Sequence, residues 1–308
     1  MPHAKVGDIE LCYEVRGELS SESPPLLLIM GLGAQMISWD DALCDLLVER
    51  GFTVIRFDNR DVGLSTKLDH LGRPRLRSMF WRGLINMPGG APYSLNDMAA
   101  DALGLLDALD ISSAHVVGAS MGGMIAQCMA LDAPHRVRSL TSIMSHPGDT
   151  RSKISKPAAM RTLFTPLPRD RELAIARQVE ILRLLSSPAY PFDAERARRL
   201  IERGRERSYH PPGFLRQMSA IVHAPNRIPA LRKLRVPSLV MHGRNDILVP
   251  VIGGKSTARA IPGARLRIFD GMGHDLPRPL WPVLVDEIAR HADSADAAHH
   301  ATPRAASV

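Results

Sequence analysis

The sequence predicts an α/β chain, with a mostly parallel central sheet flanked by helices and an inserted helical cap. Three observations carry this reading. Short apolar runs bounded by Pro or Gly alternate with longer runs of helical spacing from Pro25 to Met144, the pattern of a parallel sheet covered by helices. The alternation stops between about His146 and Leu234, where Arg-rich helical segments are broken by Pro157, Pro166, Pro168, Pro188, Pro191 and the Pro211-Pro212 pair; prolines in such positions end helices rather than continue them. It resumes from Pro237 to about His291. Residues 1–145 and 235–292 are therefore expected to form the core, 146–234 the cap, and 293–308, rich in Ala, Ser and Asp, a disordered tail.

Each element has a local reason. LLLIM (Leu26 to Met30) and TVIRF (Thr53 to Phe57) are short and apolar enough to be strands buried on both faces. Between them, Trp39 to Arg50 puts Leu43, Leu46 and Leu47 on one helical face, with Gly51 as a stop. Ser94-Leu95-Asn96-Asp97 has the spacing of a capping box and opens a helix to about Leu109. AHVVG (Ala114 to Gly118) is read as a strand, Met121 to Leu131 as a helix, and VRSLTSIM (Val137 to Met144) as the next strand. After the cap come strands PSLVMHG (Pro237 to Gly243) and RLRIF (Arg265 to Phe269), then a last helix near Trp281 to His291.

Composition narrows the function classes. A 308-residue chain with 45% hydrophobic residues can bury a substantial core. Its net charge of +7 would suit nucleic acid, but the basic residues are dispersed. The densest stretch, Ala194 to Ser208, alternates Arg with Glu and reads as a solvated helix face carrying intrahelical ion pairs. No aromatic interleaving accompanies it, so no nucleic-acid partner is expected. Cys12, Cys44 and Cys128 are odd in number and widely spaced, which argues against a disulfide framework or a zinc site; no metal or cofactor is expected. No run approaches the roughly 18 apolar residues of a membrane span. The chain is expected to be soluble and cytoplasmic, and its oligomeric state is left open.

Strand AHVVG runs directly into Gly118-Ala119-Ser120-Met121-Gly122-Gly123, which opens a helix. A Gly-x-Ser-x-Gly pattern alone arises by chance in roughly one chain in ten of this length. Strand before and helix after remove most chance matches, because the tight turn they require strains the serine backbone and forbids a Cβ at Gly118 and Gly122. A phosphate-binding turn is the competing reading; it is disfavoured because neither a following Lys-Ser/Thr nor Gly-x-Gly-x-x-Gly spacing is present.

The residues that carry a family resemblance are Met30-Gly31-Leu32-Gly33, Phe57 to Ser65, Gly118 to Gly123, Gly243-Arg244-Asn245-Asp246 and Gly271-Met272-Gly273-His274. On these the chain resembles the α/β-hydrolase superfamily, over roughly Ile9 to Met144 and Val236 to Arg290. GLGAQ, Trp39, IRFDNRDVGLST and VVGASMGGMIAQ are most similar to the carboxylesterase branch that includes aclacinomycin methylesterase. Met30 departs from the histidine common before the oxyanion glycine in many relatives.

The resemblance implies an α/β-hydrolase fold and the chain order nucleophile, acid, histidine, which restricts the search to residues after Ser120. His274, in the turn after the strand ending at Phe269, is preferred as base over His242 and His291. Asp246, after a short turn from PSLVMHG, is preferred as its orienting acid over Asp149, Asp270 and Asp275. The expected oxyanion donors are the backbone N–H groups of Leu32 and Met121. The loop from Asp58 to Ser65 is taken as structural, with Arg60 and Asp61 paired to backbone or to each other.

The expected function is hydrolysis of a small-molecule carboxylic ester through an acyl-enzyme. Met30, Trp39, Met144, Leu248 and Leu276 are expected to line the site, beside Leu32 and Met121, and to favour an apolar ester group of modest size. A cofactor-free perhydrolase or haloperoxidase, a carbon–carbon bond hydrolase and a lactonase remain open on the same scaffold. So does a hydrolase-fold ligand receptor with little turnover.

Overall fold

A computed structural model describes residues 1–20, 23–75, 91–152 and 155–301. The strands of these residues form one eight-stranded sheet in the order β1-β2-β4-β3-β5-β6-β7-β8. Its members are β1 (His3–Val6), β2 (Ile9–Arg16), β3 (Pro25–Ile29), β4 (Thr53–Phe57), β5 (Ala114–Ala119), β6 (Val137–Ile143), β7 (Ser238–Gly243) and β8 (Arg265–Phe269). From β4 to β8 all pairings are parallel, while β1 and β2 form an antiparallel edge that the sequence reading did not assign. Strands β4 and β5 are buried along their whole length, Arg56 and His115 included.

Helices α1 (Asp41–Glu49), α2 (Leu95–Ala108), α3 (Met121–Asp132), α9 (Ile252–Ala260) and α10 (Trp281–Ala301) accompany the sheet. The capping box at Ser94 forms as its spacing predicts: Asp97 N–H donates to Ser94 Oγ, and the Asp97 carboxylate accepts from the Ser94 N–H at 2.7 Å. Helix α10 corrects the expectation of disorder after Ala292, because it continues to Ala301. Its Asp296 accepts from Arg138 at 2.6 Å and meets His115 at 3.3 Å, long-range pairings that composition cannot reveal. The rest of the expected tail, 302–308, lies outside the described residues.

Between β6 and β7 the insertion is helical, with α4 (Pro157–Phe164), α5 (Arg171–Leu185), α6 (Ala194–Arg207), α7 (Pro211–Val222) and α8 (Ile228–Leu231). Helix α6 is more than a solvated face. Arg198 pairs with Glu202 four residues on at 2.8 Å, as expected, but Arg196 reaches Asp40 at 2.8 Å and Arg207 reaches the buried Asp58 at 3.0 Å. Its arginines thus tie the cap to the core.

A second tie is buried. Arg216 of α7 donates two hydrogen bonds to Asp61, at 2.8 and 2.6 Å, with both side chains fully buried. Of the two alternatives expected for Arg60 and Asp61, the backbone one is met, since Arg60 donates to Asp97 O at 3.2 Å and Asp61 accepts from the Leu68 N–H at 2.8 Å, while their ion pairs are made with Asp101 and Arg216 rather than with each other. Burial opposes ionisation of Asp61, but hydrogen bonds from Arg216 and the Leu68 N–H prevail and lower its pKa. Removing one partner of such a pair leaves an uncompensated buried charge. Arg216→Met is therefore expected to cost about 3–5 kcal/mol in urea unfolding; a loss of under about 1 kcal/mol would contradict this account of the contact.

Candidate active site

Parallel pairing sets the carboxyl ends of five strands side by side. Ile29 is in register with Gly118, Ala119 with Ile143, Ile143 with Met241, and Gly243 with Phe269. The loops that follow these ends carry Leu32, Ser120, Met144, Asp246 and His274. Residues separated by up to 154 positions, Ser120 and His274, are thereby brought into contact.

Ser120 sits between β5 and α3 with φ 57° and ψ −119°, a left-handed conformation that a non-glycine residue adopts only under constraint. Its N–H donates to Ile143 O at 2.9 Å, and its carbonyl accepts from Gly123 N–H at 3.0 Å. A Cβ at Gly118 would collide with the Gly122 carbonyl, and one at Gly122 with the Ile29 carbonyl. The glycines are needed because backbone passes backbone at the elbow.

The Ser120 hydroxyl lies 3.0 Å from His274 Nε2, and His274 Nδ1 lies 2.7 Å from Asp246 Oδ2. Because a carboxylate only accepts, Nδ1 carries the proton and Nε2 presents its lone pair to Ser120 Oγ–H. The Asp246 side chain is fully buried, and its Oδ1 accepts from the N–H groups of Leu248 and Val249 at 2.9 and 2.8 Å. Burial works against its ionisation, but the charge of His274 and hydrogen bonds from His242 and His274 outweigh it and hold the carboxyl at about 2. The acid is thus ionised throughout the range in which a histidine titrates.

Three of the competing residues, His242, Asp270 and Asp275, are engaged elsewhere. His242 meets Val249 O at 2.8 Å and stands 3.5 Å from Asp246 Oδ2, a flanking position rather than one facing the serine. Asp270 is exposed and pairs with Arg244, while Asp275 accepts from the Ser187 hydroxyl. Gly31 packs so close that a Cβ there would lie 3.1 Å from Ser120 Cβ. The following Leu32 N–H and the first N–H of α3, from Met121, make no protein hydrogen bond among the described residues. Donors fixed beside an attacked carbonyl are what a developing oxyanion requires.

A cavity of about 1570 Å³ opens over Ser120 and His274. Met30, Met144, Leu248 and Leu276 line it as expected, and the cap adds Met160, Leu182, Phe192, Phe214 and Met218. Trp39 is corrected: it is 1% exposed and packs in the core with Leu43, Cys44 and Leu28. Among the described residues the tryptophan that lines the cavity is Trp281, whose ring lies beneath the guanidinium groups of Arg196 and Arg278 at 5.1 and 5.2 Å. The cavity's volume exceeds the roughly 300–1,000 Å³ of ordinary small-molecule sites. Among the described residues no cluster of His, Cys, Asp or Glu could hold a metal ion, and no helix is long and apolar enough to cross a membrane.

Fold and site together place the chain in a known class. The family model for the alpha/beta hydrolase fold matches residues 24–180, and the chain belongs to this family of hydrolases. It is 30% identical to rhodomycin D methylesterase DnrP of Streptomyces peucetius, over 96% of this chain and 99% of that protein. It is 31% identical to rhodomycin D methylesterase DauP of Streptomyces sp. strain C5, again over 96% and 99%. Among solved structures, a meta-cleavage product hydrolase from Pseudomonas fluorescens IP01 superposes with a TM-score of 0.72 at 19% identity, covering 96% of this chain and 98% of that one. At that identity the likeness is one of fold alone.

Proposed function

We propose that the protein is a serine carboxylesterase that cleaves a small alcohol, methanol in the simplest case, from the ester of a bulky apolar acid. The continuous Ser120–His274–Asp246 hydrogen-bond chain opening into the cavity carries this reading. Ser120 Oγ attacks the ester carbonyl as His274 Nε2 takes its proton, and Asp246 steadies the imidazolium that results. The Leu32 and Met121 N–H groups receive the charge on the carbonyl oxygen. His274 then protonates the departing alkoxide, and a water molecule activated by the same imidazole releases the acid from Ser120.

The methylesterase relatives, matched along nearly their whole length, support a methyl ester. The volume and apolar walls of the cavity support an acid larger than the alcohol it loses. The test is a series of p-nitrophenyl esters of rising acyl length beside methyl esters of bulky acids. A rise in kcat/KM with acyl bulk, with release of methanol, is expected. Absence of ester turnover by a folded protein would refute the reading.

The cap walls should govern that preference. Leu182 and Met218 line the cavity from α5 and α7. Leu182→Ala and Met218→Ala are expected to change the ratio of kcat/KM between a bulky and a short ester by roughly 10-fold, the size of a few lost methylene contacts. Labelling of Ser120 by a small fluorophosphonate should be little affected. An unchanged ratio with a lowered melting temperature would show that these side chains only hold the cap together.

A further inference from the structure

The loop that carries His274 is fastened to the cap as well as to its own strand. His274 N–H donates to Leu185 O at 2.8 Å, at the carboxyl end of α5. Gly273 N–H donates to the Ser187 hydroxyl at 2.9 Å, and that hydroxyl in turn donates to Asp275 Oδ1. Ala189 N–H reaches Gly271 O at 3.3 Å. One hydroxyl group, 2% exposed on its residue, therefore brackets His274 by bonding the residue before it and the residue after it.

The approach is too close to be incidental packing. A Cβ on Gly273 would lie 2.6 Å from Ser186 O and 2.7 Å from Leu185 O, and one on Gly271 would collide with the Ala189 side chain. Glycine at both positions lets the cap connector after α5 lie directly on the base loop. Hydrogen bonds that fix both neighbours of a side chain restrict where its Cα can sit, and an imidazole working at hydrogen-bond distance tolerates little displacement.

We propose that Ser187 is a positioning residue for His274, so that the imidazole reaches its place between Asp246 and Ser120 only when this part of the cap is docked on the base loop. The consequence for turnover rests on the esterase reading, but the placement of His274 can be measured without it. The cap is then part of the catalytic assembly as well as the wall of the cavity. Any movement that lifted residues 185–189 would also release the base.

The test uses the full chain with Ser187→Ala, Asp275→Ala and Asp275→Asn. The first readout is the low-field proton resonance of the His274 Nδ1–H bond to Asp246, assigned by its loss in His274→Gln. The others are kcat and KM for a short and a bulky ester, and a thermal melt. In Ser187→Ala the resonance should broaden or vanish, and kcat should fall roughly tenfold to a hundredfold for both esters alike, with KM little changed. Asp275→Asn keeps an acceptor oxygen for Ser187 and should stay near wild type, whereas Asp275→Ala should resemble Ser187→Ala. An intact resonance and unchanged kcat in Ser187→Ala would overturn the proposal. If that variant does not fold, Asp275→Ala, altered at a half-buried cavity position, is judged by the same two outcomes. Loss of the resonance in variants of a protein that turns over no ester would refute the esterase reading and leave the positioning role standing.

Discussion

Ser120→Ala is expected to fold, to lose all labelling by a fluorophosphonate, and to lose on the order of 10⁶-fold in kcat toward esters, the scale seen when a triad nucleophile is removed. The substitution deletes only Oγ. The Cβ that must be tolerated at φ 57° is already present, and the bonds that hold the elbow, from Ser120 N–H to Ile143 O and from Gly123 N–H to Ser120 O, are made by backbone. His274 keeps its bond to Asp246, so the melting temperature should move by only a few degrees. Intact-mass measurement after inhibitor treatment should show one adduct on the wild type and none on the variant. An adduct at another residue, or ester turnover within tenfold of wild type, would sink the assignment of the nucleophile.

The members of the Ser120–His274–Asp246 hydrogen-bond chain are legible in the sequence because each is bound to a local constraint. The elbow announces itself through glycines at positions where backbone meets backbone. Asp246 and His274 follow β7 and β8 by only a few residues, and the parallel order of those strands brings their ends together. What escaped was long-range or locally weak. Strand β2 mixes Glu and Arg with apolar residues and lies second from the edge, between β1 and β4, so no unbroken apolar run marks it. Helix α9 opens with Ile252-Gly253-Gly254, poor in helix propensity. Those glycines are there for close approach, since a Cβ on Gly253 would lie 2.8 Å from His146 Cβ and one on Gly254 2.6 Å from His242 Nδ1. Ser187 reads locally as nothing more than the serine after a helix end, and its tie to Gly273 spans 86 residues. Trp39 misleads in the opposite direction: an aromatic in the right neighbourhood, turned into the core.

Asp246→Asn tests the electrostatic half of the site, and its outcome follows from which oxygen does what. Oδ1 accepts from the Leu248 and Val249 N–H groups, a role that the amide oxygen of asparagine can take over, so the turn after β7 should keep its shape. Oδ2, which accepts from His274 Nδ1, is then replaced by an NH₂ group. Donor would face donor at 2.7 Å, and the imidazole relieves this by moving its proton to Nε2. In that tautomer Nε2 points a hydrogen at Ser120 Oγ and can no longer accept the serine proton. The charge that steadies the imidazolium is lost at the same time. His242 cannot substitute, since its Nε2 is committed to Val249 O and it carries no negative charge. The expected loss is about 10⁴-fold in kcat at neutral pH, with a melting temperature close to wild type. Near-wild-type turnover in this variant, with a dead Asp275→Asn or Asp149→Asn, would move the orienting role away from Asp246.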